Sequence, residues 1–194
     1  MTPRRAVVIA GLTLGTAVLG WAIFVGLPAW SRARTTPRTP PLAVPPPPQG
    51  RKIKARLFYV AEDGVRLTSL ERDVPYGDGT AEQAKAIVAA QLAAATPPLV
   101  SAVPPGTTLR ALFVTPQGEA FVDFSKELMA AHPGGSLNEL LTVYSIVNAL
   151  TTNLPMVTGV QLLVDGKEID TLSGHVDLRR PLAKDLAWVE ATTP

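Results

Sequence analysis

The chain of 194 residues contains no cysteine, so a disulfide framework and thiolate metal sites are excluded. It has only two histidines, His132 and His175, which leaves little material for an imidazole metal site or a histidine base. No acidic residue precedes position 51, yet five arginines do: Arg4, Arg5, Arg32, Arg34 and Arg38. The formal net charge of +2 therefore hides an asymmetry, because the remainder carries 13 basic and 16 acidic side chains, a net of −3. A nucleic-acid binder concentrates positive charge on its folded part. Here the basic excess flanks an apolar run, and a membrane is the partner that fits. Charge is missing once more between Leu140 and Asn153, inside a helical pattern that opens at Ser136.

The N-terminal apolar run, Ala6 to Trp30, has no charged side chain. About 20 such residues cross the hydrocarbon core as a helix. A cleavable signal peptide is the rival reading, with Arg4 and Arg5 as its basic start and Ala29-Trp30-Ser31 as a weak cleavage pattern. Its apolar core is ordinarily ~7–15 residues long, and this run is longer. The expectation is a short tail over 1–5 followed by an uncleaved transmembrane anchor over 6–30. Arginines on the two sides nearly balance, so the positive-inside rule does not set the orientation. Residues 31–50 form a linker whose PRTPPLAVPPPPQG stretch favours an extended polyproline II spacer of ~3.1 Å per residue. The same stretch has an alternative use as a ligand for a proline-binding domain.

A folded domain is expected over 51–182, with a flexible tail over 183–194. Lys52 to Val60 alternates, with Ile53, Ala55, Leu57 and Tyr59 on one side and Lys52, Lys54 and Arg56 on the other, as in a half-buried strand. The three cations read as a solvated face, with a lipid-headgroup patch as the alternative. Asp63-Gly64 turns the chain into a return strand over Val65–Leu70. Tyr76-Gly77-Asp78-Gly79 is a further turn that lacks the spacing and the lysine of a phosphate loop. Thr80 and Gln83 match a capping box for a helix buried through Ala84, Ile87, Val88, Leu92 and Ala95. Strands follow at Leu109–Thr115 and Glu119–Ser125, then a helical turn at Lys126–Ala131. Ser136 and Glu139 match a second capping box, opening a helix that runs to Asn153. Its apolar stripe is Leu137, Leu140, Leu141, Tyr144, Val147 and Leu150, widened by Val143, Ile146 and Leu154. A hairpin closed by Asp165-Gly166 completes the domain. Hairpins separated by helices fit an α+β class, a mostly antiparallel sheet with two helices packed on one face.

Chemistry is sparse in this pattern. His175-Val176-Asp177 places a base near an acid, and Ser136 is a conceivable nucleophile, but no nucleophile elbow is present. Asp123 falls mid-strand and Asp165 in a turn, so they do not read as an acid/base pair. Gly134-Gly135-Ser136 before a helix is explained by capping without a bound anion. No cofactor or metal motif is found. The uncharged helix face of Thr142, Tyr144, Ser145, Asn148, Thr151 and Thr152 is the candidate interaction surface. Helices without a charged outer face are covered on more than one side, either by their own domain or by a neighbour.

Three segments resemble the GerMN domain of sporulation and spore-germination proteins: AFVDFS at 120–125, ELLTVYSIVNAL at 139–150 and VQLLVDGK at 160–167, with GHVDL at 174–178 similar to the family's ending. The resemblance covers about Lys52 to Leu182 in a single copy, whereas germination proteins of this type can carry two. It implies a non-enzymatic, extracytoplasmic α+β domain tethered to the cell membrane, N-terminus inside. It also implies a fold similar to the ring-building modules of secretion and sporulation channels. No catalytic residues are carried over. The expected role is a cell-envelope protein-interaction or scaffold module, contacting envelope proteins or itself, with no nucleic acid and no small-molecule substrate. The alternative is a cell-wall hydrolase or peptidoglycan-binding accessory protein using His175 and Asp177.

Overall fold

The structure, a computed structural model, describes residues 50–191. The N-terminal tail, the transmembrane anchor expected over 6–30 and the linker up to residue 49 lie outside the described residues. No described helix is long and apolar enough to cross a membrane. Nine elements follow in order: β1 Lys52–Val60, β2 Leu67–Pro75, α1 Thr80–Leu92, β3 Leu109–Val114, β4 Glu119–Phe124, α2 Glu127–Ala130, α3 Ser136–Asn153, β5 Gly159–Val164 and β6 Lys167–Glu168.

The α+β class holds, but the strands do not make one mostly antiparallel sheet. β1 and β2 form a ribbon of their own, and β3-β4-β5-β6 form a four-stranded sheet. Within that sheet β4 and β5 run parallel, Glu119 against Gly159 through Phe124 against Val164. The reason is the 18-residue α3 between them, which carries the chain back to the starting end of β4. A helix crossover gives parallel neighbours where a tight turn gives antiparallel ones. Asp165-Gly166, both at positive φ, then closes β5 onto β6 as a two-residue hairpin.

The helices do not cover a single sheet face either. Helix α3 packs on β1 and on β5, while α1 packs on β1, β2, β3 and α3. The core runs through Leu57, Tyr59, Ile87, Val122, Phe124, Ile146, Leu150 and Leu162, all at most 1% exposed. Burying an aliphatic or aromatic side chain of this size contributes roughly 1.5–3 kcal/mol. Helix α3 therefore lies between two β layers of its own domain, and this explains a sequence without charge from Leu140 to Asn153.

Two side-chain amides complete the join. Facing outward from the ribbon, Phe58 of β1 meets Gln91 of α1, which accepts the Phe58 N–H at 3.0 Å and donates to its carbonyl at 2.6 Å. Asn153, the last residue of α3, does the same for Arg56 at 2.8 and 2.7 Å. The next outward position, Val60, donates its N–H to the Val100 carbonyl. A strand edge is a row of unpaired backbone groups. Here amide side chains stand in for a neighbouring strand.

Three local expectations change. The return strand starts at Leu67 rather than Val65, because Asp63 Oδ1 holds the N–H groups of Val65 and Arg66 in the turn. Neither capping box forms, since glycines at 79 and 135 occupy the N-cap positions. Gln83 instead bonds Gly77 and Pro75, anchoring the turn before α1. The end of the chain is not a free tail over its described part. Leu182 and Val160 exchange backbone hydrogen bonds, and Leu67 bonds to Trp188 and Glu190. The cationic side of β1 is a solvated face, with Lys54 paired to Asp73 at 2.6 Å and Arg56 opposite Glu71.

Candidate functional site

The polar face of α3, expected to meet a neighbour, is mostly interior. Thr142, Ser145, Asn148 and Thr151 are buried within the folded monomer. Thr142 Oγ1 donates to the Ala102 carbonyl at 2.6 Å, Ser145 Oγ to Thr142 O, and Thr151 Oγ1 to Val147 O. Asn148 is fully buried and closes a two-bond pair with the backbone of Asp185 at 2.7 and 3.0 Å. These four groups meet their partners inside the chain, which corrects the expectation of a contact surface there. Tyr144 and Thr152 remain part-exposed. Burial, and secondly the nearby Asp185 charge, raise the Tyr144 phenol above its ordinary pKa. Thr152 Oγ1 is buried without a partner among the described residues.

The densest polar site starts from Glu139, one turn into α3 and 0% exposed. Its Oε1 accepts from the N–H groups of Leu172 and Ser173 at 2.7 and 3.0 Å, and Oε2 from the N–H of His175 at 2.9 Å. The His175 ring also approaches, Nδ1 lying 3.2 Å from Oε2. Burial pushes the Glu139 carboxyl up, but the donors Ser173, His175, Leu172 and Val176 outweigh it, so its pKa falls below the ordinary value. A loop over 172–176 is thereby wrapped around one buried carboxylate. Glutamate three residues after a serine reads as a cap in the sequence; its real partners lie 33 to 36 residues away and leave no local signal.

His175 thus has a carboxylate partner, but it is Glu139 and not Asp177. Asp177 bonds Arg179, through Nε at 2.9 Å and Nη2 at 2.7 Å, and this holds its carboxyl well below the usual range. The second histidine serves the entry to α3. His132 Nδ1 accepts the Gly134 N–H at 3.0 Å, which leaves its ring proton on Nε2, 3.3 Å from Thr142 Oγ1. Ser136 is exposed at the start of α3 and bonds neither histidine. The structure does bring Asp123 and Asp165 together, on either side of Arg110, at 3.5 and 2.5 Å. Asp123 also accepts the Gly166 N–H at 2.8 Å, so the trio fixes the β5–β6 turn. Among the described residues no group of three or more His, Asp or Glu side chains is placed to hold a metal ion.

The ribbon, the mixed sheet with its parallel crossover and the two long helices define the chain as an α+β domain. A family model described as sporulation and spore germination matches residues 56–170. The chain belongs to that family, Germane. Among solved structures, the tandem GerMN domains of the sporulation protein GerM from Bacillus subtilis align with a TM-score of 0.51 at 20% identity, covering 70% of this chain and 46% of that one. The first GerMN domain of the same protein gives 0.49 and 19%, covering 69% of this chain and 96% of that one. A candidate lipoprotein from Clostridium perfringens gives 0.49 and 21%, covering 69% and 88%. No curated protein sequence matches the chain.

Proposed function

We propose that the chain is a membrane-anchored, extracytoplasmic contact module of the cell envelope, without catalytic turnover of its own. The observation that carries this reading is where the reactive side chains are spent. Glu139 holds a loop, His132 holds the entry to α3, His175 leans on Glu139, and Asp177 is bound by Arg179. Catalysis needs a nucleophile or base directed at a place where a substrate sits. Here the same groups are directed at the chain's own backbone and side chains. The apolar run over 6–30 supports the anchor, and membership of the sporulation and germination family supports the placement outside the cytoplasm. With the polar face of α3 largely interior, contacts fall to other surfaces of the domain.

Because the chain has no cysteine, single-cysteine labelling tests the placement cleanly. Val65→Cys, in the exposed β1–β2 turn, is expected to react with a membrane-impermeant maleimide in intact cells. Labelling only after lysis contradicts the placement. Amine cross-linking on intact cells is expected to shift the full chain to protein adducts, and an unshifted chain contradicts the contact role.

A further inference from the structure

The four strand edges of this domain are not treated alike. β1 is closed by Asn153, Gln91 and Val100, as described. β2 meets Trp188 and Glu190 at Leu67, and further along its outward positions carry Glu71 and Asp73. β6 is only two residues long. These are the ordinary ways in which a protein guards an edge: cover, charge and shortness. β3 carries Arg110 and a register shift at its start, between Leu109 and Ala111, but from Ala111 on it has neither charge nor backbone cover among the described residues.

β3 is an outer strand of the four-stranded sheet, and Ala111 through Thr115 carry no charge. Thr115 donates its N–H to Glu119, which places the inward hydrogen-bonding positions at 115, 113 and 111. The N–H and C=O groups of Leu112 and Val114 therefore face outward, and they meet no hydrogen-bond partner among the described residues. Between them stands Phe113, 67% exposed and opposite Phe121 across β4.

We infer that β3 is a pairing edge for a second copy of this chain, joined antiparallel about Phe113. In that register Leu112 of each copy lies opposite Val114 of the other, and their outward N–H and C=O groups exchange four hydrogen bonds. Phe113 then faces its own counterpart across the two-fold axis, at a position where side chains approach closely. Charge selects the occupant. A two-fold pairing brings like against like, which the uncharged stretch Ala111–Thr115 accepts, whereas the same pairing on β2 sets Glu71 and Asp73, with the cations Arg56 and Lys54 that lie opposite them on β1, among their own kind. The flanking Arg110 is already neutralised by Asp123 and Asp165. This inference rests on the reading of the domain as a contact module and names one of its partners.

The test uses the full chain in its native membrane with single cysteines. Facing residues of a non-hydrogen-bonded antiparallel pair have Cα atoms about 4.5 Å apart, inside the range a disulfide spans. Phe113→Cys is expected to form a disulfide-linked dimer on mild oxidation, and Glu71→Cys is not. Adding Val114→Pro removes an outward N–H that the fold does not use, and is expected to abolish the dimer at unchanged melting temperature. A second variant, Phe113→Lys, read by sedimentation in detergent, is expected to shift a dimer to a monomer. A dimer linked through Glu71→Cys but not Phe113→Cys overturns the edge and leaves the contact module standing. Linkage of Phe113→Cys to a different protein overturns the second copy and also leaves the module standing. A chain that is monomeric and cross-links to nothing overturns both.

Discussion

Gln91 and Phe58 are joined as two strands would be: the Gln91 side chain accepts the Phe58 N–H at 3.0 Å and donates to its carbonyl at 2.6 Å. Gln91 is 1% exposed, so both backbone groups are out of reach of solvent on that side. Replacing it by leucine keeps the volume and strands a buried donor and acceptor, at ~1–3 kcal/mol each. Gln91→Leu is expected to lower unfolding stability by about 2–6 kcal/mol, read by urea denaturation. Asn153→Ala, at a more exposed pair, is expected to lose less.

Glu139 predicts a pH dependence. Its folded pKa lies below the ordinary value of 4.5, so the stability it contributes is fully present above that value and is lost as pH falls through the folded pKa. Glu139→Gln is expected to destabilise at pH 7, because one amide oxygen replaces two carboxylate oxygens and an NH2 group faces the His175 N–H. The cost is of order 3 kcal/mol, as charge-assisted bonds are the stronger kind. Urea midpoints measured from pH 7 to pH 3 are expected to converge for the two proteins as the carboxylate is protonated. A constant gap across that range contradicts the assignment.

Gly118 predicts a backbone effect. It has φ +89 in the β3–β4 turn, and a Cβ there overlaps the Met156 carbonyl oxygen. Its own carbonyl accepts the Thr158 N–H at 2.8 Å, which ties this turn to the loop after α3. Gly118→Ala combines the collision with a strained dihedral of roughly 1–3 kcal/mol. A fall in melting temperature is expected, whereas Gly64→Ala, with open space around it, is expected to show only the dihedral part.

The features legible in the sequence are those that neighbouring residues decide. The alternation in Lys52–Val60, the Asp165-Gly166 turn and the extent of α3 were all readable because each depends on a local period or a local φ. The parallel pairing of β4 with β5 and the separation of β1–β2 from the main sheet depend on which distant strand docks where. The same limit applies to the site. Glu139 follows Ser136 at capping distance, and that local explanation concealed a carboxylate committed to residues 172–176. Freedom from charge showed that α3 is covered, but β1 and β5 of the same chain look no different in sequence from a foreign surface.

The candidate dyad makes a final prediction, and it tests the account most directly. His175 is about half exposed beside a fully buried carboxylate, an arrangement that a wall hydrolase needs and that a loop clamp also produces. Purified full-length chain incubated with peptidoglycan is expected to release no soluble fragments above buffer, and His175→Ala to behave identically. Fragment release by the unaltered chain that disappears in His175→Ala contradicts the contact-module account.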